Sequence, residues 1–170
     1  ASRDRVVANR CARWMSTCAT ERCGWAQARA DVSNPLILPM AAHVALAACL
    51  YVLLTVARAP AVWGIGRRAD GSNPWSKVEP RISANLSNQF EWPLFFHVAC
   101  VLLIVAGDVG PVPQALAWIF IAGRVLHSLV QIPTTNVRLR GLVFTMNFLA
   151  VLGLWALVVA KAFDAQVALS

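Results

Sequence analysis

Charge is scarce in this chain: only 14% of its 170 residues are Asp, Glu, Lys or Arg, while 58% are hydrophobic. A water-soluble domain carries charge on about a quarter of its residues, so the deficit excludes an ordinary soluble fold. The same apolar excess excludes a disordered chain, which needs low hydrophobicity. Tyrosine is nearly absent, with Tyr51 alone against seven Trp and seven Phe. The five cysteines, Cys11, Cys18, Cys23, Cys49 and Cys100, are an odd number without a secreted-type framework and give no case for disulfides. Cys49 and Cys100 lie in apolar runs and read as inert packing residues. Cys18 and Cys23 have no second pair, so zinc spacing is missing and no metal is expected. There is no Walker loop, no GxGxxG and no His-Glu-x-x-His, which removes the common nucleotide and zinc-protease chemistries.

What is present is a set of four long apolar runs, at about residues 36–57, 86–106, 112–132 and 142–160. Each has about 19–22 residues, or about 30 Å as a helix, which matches the hydrocarbon core of a bilayer. Backbone groups in lipid need internal partners, so the runs are expected to be helices. Breakers separate them: Pro60, Gly64, Gly66, Gly71, Pro74 and Pro80 in the first connection, Gly107 to Pro113 in the second, Pro133 to Gly141 in the third. The expected fold is an all-α integral membrane protein, a four-transmembrane-helix bundle over residues 35–165.

Connections one and three share a side and carry Arg58, Arg67, Arg68, Lys77, Arg81, Arg138 and Arg140. The other side has Lys161, and of the N-terminal arginines only Arg22 and Arg29 are close enough to the first run to count. Seven against three places connections one and three in the cytoplasm and both termini outside. In a soluble chain the +7 net charge would suggest nucleic acid; here it marks topology, and membrane lipids are the expected surroundings. Residues 1–34 form a basic tail without the apolar core of a signal peptide. Val7, Cys11, Trp14, Cys18 and Trp25 recur at helical spacing, so the tail reads either as an interfacial amphipathic helix or as an extension without chemistry.

Ionisable groups inside spans are costly and mark function by default. Asn85, Asn88 and Glu91 follow one another at spacings of three and share a helix face if the second run is one helix. Such a face lines a polar cavity or glues helices together. Arg124 and His127 are also three apart, in the third run. Arg124 and Glu91 lie at similar depth, which suggests an ion pair between spans two and three. Arg138 and Arg140 stand where the fourth span begins, and helix N-termini attract anions. They read either as an anion site for a carboxylate, phosphate or thiolate, or as topology markers. Depth separates His43, His97 and His127, leaving His97–His127 as the one candidate haem pair.

These residues, in this order, resemble the MAPEG superfamily, the membrane-associated proteins of eicosanoid and glutathione metabolism. The resemblance rests on Asn85-x-x-Asn88-x-x-Glu91-x-Pro93, on Trp118 with Arg124-Val-Leu-His127-Ser128, and on Asn136-Val-Arg138-Leu-Arg140 followed by Phe144, and it covers about residues 35–160. It implies a homotrimer with active sites between neighbouring subunits near the cytoplasmic side. It also implies glutathione as co-substrate, a lipophilic small molecule as partner, and transferase or peroxidase chemistry. Arg140 matches the arginine that polarises the thiol. Arg138, Asn136 and Arg81 would hold the anionic ends, and Asn85, Asn88, Glu91, Arg124 and His127 would form and brace the pocket. Matched on Asn88 and Glu91, Ala84 stands where the family's glutathione enzymes have an arginine; matched on Arg81 and Asn85, Asn88 takes the place of the acid; and the third span lacks their tyrosines. In these respects the chain is closer to a bacterial branch of the family, which implies a bacterial inner membrane. The alternative is a non-catalytic accessory or scaffold subunit of a larger membrane assembly. A transporter using Glu91 would want an inverted repeat, and there is none.

Overall fold

A computed structural model describes residues 34–168. The reading of the N-terminal tail falls on residues outside this range. The described residues form five helices: α1 (Ile37–Trp63), α2 (Glu79–Ser87), α3 (Pro93–Val105), α4 (Pro111–Gln131) and α5 (Val137–Val167). Three of them, α1, α4 and α5, are long and apolar enough to cross a membrane. The chain is an integral membrane protein.

Local chemistry sets the helix ends. Asn34 Oδ1 accepts the Leu36 N–H at 3.1 Å just before α1. The far end of α1 stops at Gly64, whose φ of 73° is left-handed and suits glycine. Pro60 sits in the last turns of α1, and Arg67 folds back to serve the carbonyls left open there. Its Nε donates to Pro60 O at 2.6 Å and its Nη2 to Ala61 O at 3.1 Å. Prolines open α2, α3 and α4 within their first two positions, where a missing N–H costs nothing. The side chain of Asn136 caps α5 by accepting the Leu139 N–H at 3.1 Å. Replacing Asn136 by Ala should cost about 1 kcal/mol and fray the first turn of α5. Faster amide exchange at Leu139, with the rest of α5 unchanged, is the expected reading.

The second apolar run departs from the expectation of one continuous span. It is divided between α2 and α3, with a non-helical turn over residues 88–92. The physical reason is Pro93, which has no N–H to donate to Gln89 O, so the helical ladder stops before it; Trp92 itself keeps αR angles as the N-cap of α3. The 13 residues of α3 make only about 20 Å, short of a bilayer core.

Aromatic and small residues build the centre. Phe96 of α3 stacks on Phe120 of α4 with centroids 4.2 Å apart. Around them Ala99, Cys100, Leu103, Ala117, Val151 and Leu154 are buried. Cys100 is a packing residue as expected, whereas Cys49 faces outward on α1. A second cluster of Leu50, Leu54, Ala57, Ile82 and Leu86 joins α1 to α2. The most extensive helix packing is between α4 and α5, and Gly123 lies in that contact. A Cβ at Gly123 would run into Asn147 Oδ1 and lie 2.9 Å from both Asn147 Cγ and Met146 Cε. At one end Arg58 Nε pairs with Glu79 Oε1 at 2.7 Å; at the other Lys161 Nζ approaches Asp108 Oδ2 at 3.7 Å. Many of the other large apolar side chains of α1, α3 and α5, among them Val52, Val101 and Leu149, face outward, as lipid contact requires.

Candidate functional site

Arg124 is fully buried. Its expected ion pair with Glu91 does not form: Glu91 is exposed, and no acid pairs with Arg124 among the described residues. The turn that breaks the second run explains this. It carries Glu91 off the helix face predicted for it and leaves Asn88 O without a helical N–H donor. Arg124 Nη2 takes that carbonyl at 2.6 Å. Arg124 Nε and Nη2 both donate to Gln89 Oε1, at 3.1 and 3.0 Å. The guanidinium fork thus fastens the broken span to α4. A point charge could not do so with the same geometry.

An amide layer surrounds the fork. Gln89 Nε2 donates to Asn85 Oδ1 at 3.2 Å and lies 3.4 Å from Ser128 Oγ. Ser128 Oγ donates to Asn85 Oδ1 at 2.9 Å, and Asn85 Nδ2 donates to Gln131 Oε1 at 3.0 Å. Asn88 Nδ2 reaches the same Gln131 oxygen at 3.3 Å. Gln89, Ser128 and Gln131 escaped the sequence reading of the site. Their signal was present in the spacings: Asn85 and Gln89 are four apart, and Arg124, Ser128 and Gln131 run at i, i+4 and i+7 along α4.

Histidine placement also differs from the depth reading. His43 Nδ1 meets His97 Nε2 at 3.1 Å, so these two form the contact, not His97 and His127. His97, on α3 beyond the break, stands level with His43 on α1. His97 lines a groove beside α1 and His127 a separate cleft beside α5.

Next to the amide layer lies an open cleft of about 350 Å³ lined by Asn88, His127, Val137, Arg140, Gly141 and Phe144. It collects three of the expected site residues from three separate segments: Asn88 from the turn, His127 from α4 and Arg140 from the first turn of α5. Arg140 is exposed there. His127 is 3% exposed, and its Nδ1 has no hydrogen-bond partner. Both polar atoms of Asn147, two turns along α5 from Arg140, are also buried and unpartnered. Unpaired buried polar groups are costly and call for a partner.

The other expected residues stand apart from the cleft. Asn85 and Arg124 hold the network described above. Asn136 is engaged as the α5 cap. Arg138 is exposed and does not line the cleft. Residues two apart on a helix leave it on different faces, and of the two arginines Arg140 is the one that lines the cleft. Arg81 and Glu91 do not line it either.

Electrostatically the cleft favours an anion. Arg140 contributes a permanent charge, and Arg124 behind it is offset only by amide and carbonyl oxygens. The start of α5 adds the positive end of a helix dipole. A guanidinium beside a thiol stabilises the thiolate, the form that attacks.

Comparison with curated proteins and with solved structures gives no match. Among protein-family models, residues 36–160 match the MAPEG family. That match takes in all five helices except the last residues of α5, including the break, the Arg124 fork and the cleft. The chain therefore belongs to the MAPEG family.

Proposed function

We propose that this chain is a membrane-embedded, glutathione- or thiol-dependent transferase or peroxidase acting on lipophilic electrophiles, assembled as a homotrimer. The single observation that carries the reading is the convergence of Arg140, His127 and Asn88 on one open cleft. By the charge count, that cleft faces the cytoplasm, where thiols are held reduced. Arg140 stabilises the thiolate. The unpartnered His127 Nδ1 and the Asn88 amide offer polar contacts to the rest of the thiol compound.

The chemistry follows from the thiolate. A free thiol with pKa of about 8.5 is mostly protonated at neutral pH. Proximity to a guanidinium lowers that pKa, and each unit is worth about 1.4 kcal/mol. The thiolate sulfur forms a bond to an electrophilic carbon. The displaced electron pair leaves with the leaving group or moves to an adjacent carbon, which takes a proton. With a hydroperoxide, sulfur attacks one oxygen and the O–O bond breaks, giving an alcohol after protonation and a sulfenic acid. A second thiol then converts the sulfenic acid to a disulfide and water.

Titration of glutathione with the purified protein, followed by thiolate absorbance, tests this. The bound thiol should titrate at least about one unit lower than in solution, and Arg140→Ala should abolish the shift. A solution-like titration, together with no heat of binding by calorimetry, would remove the catalytic reading and leave the scaffold role.

A further inference from the structure

On the opposite flank of the broken span lies a second cavity, about 340 Å³, between α1 and the start of α3. Its walls are apolar, among them Val44, Leu94 and the ring pair of Tyr51 and Phe90, whose centroids are 6.0 Å apart. Its floor is not apolar. His43, Gln89 and His97 all reach it, and His43 and Gln89 are 4% and 2% exposed.

The hydrogens on this floor can be placed by elimination. Gln89 Oε1 accepts from Arg124 Nε and Nη2. A guanidinium only donates, so the amide cannot be turned to present its NH2 there. The same oxygen lies 3.1 Å from His43 Nε2, so His43 carries its hydrogen on Nε2. A neutral ring has one N–H, so His43 Nδ1 is a bare acceptor. It lies 3.1 Å from His97 Nε2, which must therefore donate. His97 Nδ1 is then the bare end of the chain. No hydrogen bond in the described residues engages it, and it is not among the buried unpartnered atoms, so it is accessible on a half-buried ring.

We propose that this groove binds an apolar molecule headed by a phenolic hydroxyl, which donates to His97 Nδ1. Arg124 fixes the polarity of the site from within, through Gln89 and His43. The ring of the ligand packs against Tyr51 and Phe90, and its apolar body extends toward lipid. The groove's size suits one such head group. It is separate from the Arg140 cleft: no residue lines both.

The test uses the full chain in lipid nanodiscs and two probes, a long-chain alkylphenol and its methyl ether. The phenol should bind at least about tenfold tighter than the ether, the loss expected when a buried acceptor goes unpaired. His97→Phe should remove that discrimination and leave ether binding in place. Arg140→Ala should change neither, which separates this site from the thiol cleft. Equal affinity for both probes, or no binding of either, would overturn the proposal, as would cross-links showing a second copy of the chain seated in the groove. Nitrogen NMR of the wild-type imidazoles gives a readout that needs no variant. Both His43 and His97 should be Nε2–H tautomers, and an Nδ1–H signal from His97 would overturn the hydrogen placement.

Discussion

Arg124→Lys should lose about 2–3 kcal/mol of stability, and Arg124→Ala about 3–5 kcal/mol, measured by equilibrium unfolding in detergent. The reason is the arrangement of acceptors. Three donor contacts from one planar head serve Gln89 Oε1 twice and Asn88 O once. Lysine keeps the charge but cannot span an amide oxygen and a backbone carbonyl in that geometry. Alanine removes the charge, which relieves desolvation, but strands Asn88 O and leaves a void in the middle of the bundle. The stranding wins, because in the turn over residues 88–92 no backbone N–H reaches Asn88 O and the guanidinium is its donor. Full rescue by lysine would show that the charge alone, not the fork, holds the broken span.

Gly123→Leu should be the most disruptive single change between α4 and α5, costing about 3 kcal/mol by overpacking. Even Gly123→Ala should cost about 2 kcal/mol, since its Cβ meets Asn147 and Met146 at distances real side chains do not adopt. Asn147 is also the group with two buried, unpartnered polar atoms. Removing it makes room and deletes an unpaired amide together. The double variant Gly123→Ala with Asn147→Ala should therefore recover most of the loss, a coupling that a double-mutant cycle measures directly. Strict additivity of the two changes would mean that the helices separate elsewhere.

Much of this was legible in the residues. The first, third and fourth apolar runs each became one long helix, because lipid leaves the backbone few alternatives, although α1 and α5 extend past the apolar limits of their runs. Arg140, His127 and Asn88 were each singled out, and the fold brings them to one cleft. What stayed hidden follows from Pro93. The break falls in the polar stretch Ser87 to Pro93, where Asn88 and Glu91 at a spacing of three read as a helix face and Pro93 read as part of a motif. The face linking Asn88 to Glu91 assumed helical spacing where there is a turn. Gln89, one position from Asn88, became the hub that joins Arg124 to His43. The meeting of His43 with His97 was invisible because span depth was counted as though the second run were continuous.

The unequal helix lengths have a mechanical consequence. At 31 residues α5 extends about 46 Å, while α3 has 13 residues and about 20 Å. A bilayer core of about 30 Å fits neither. The long helix must lean or push its Lys161 end into the headgroups, while lipid thins beside the short one. A single subunit thus presents opposite mismatches on two flanks, so the thickness of the host membrane sets how it tilts.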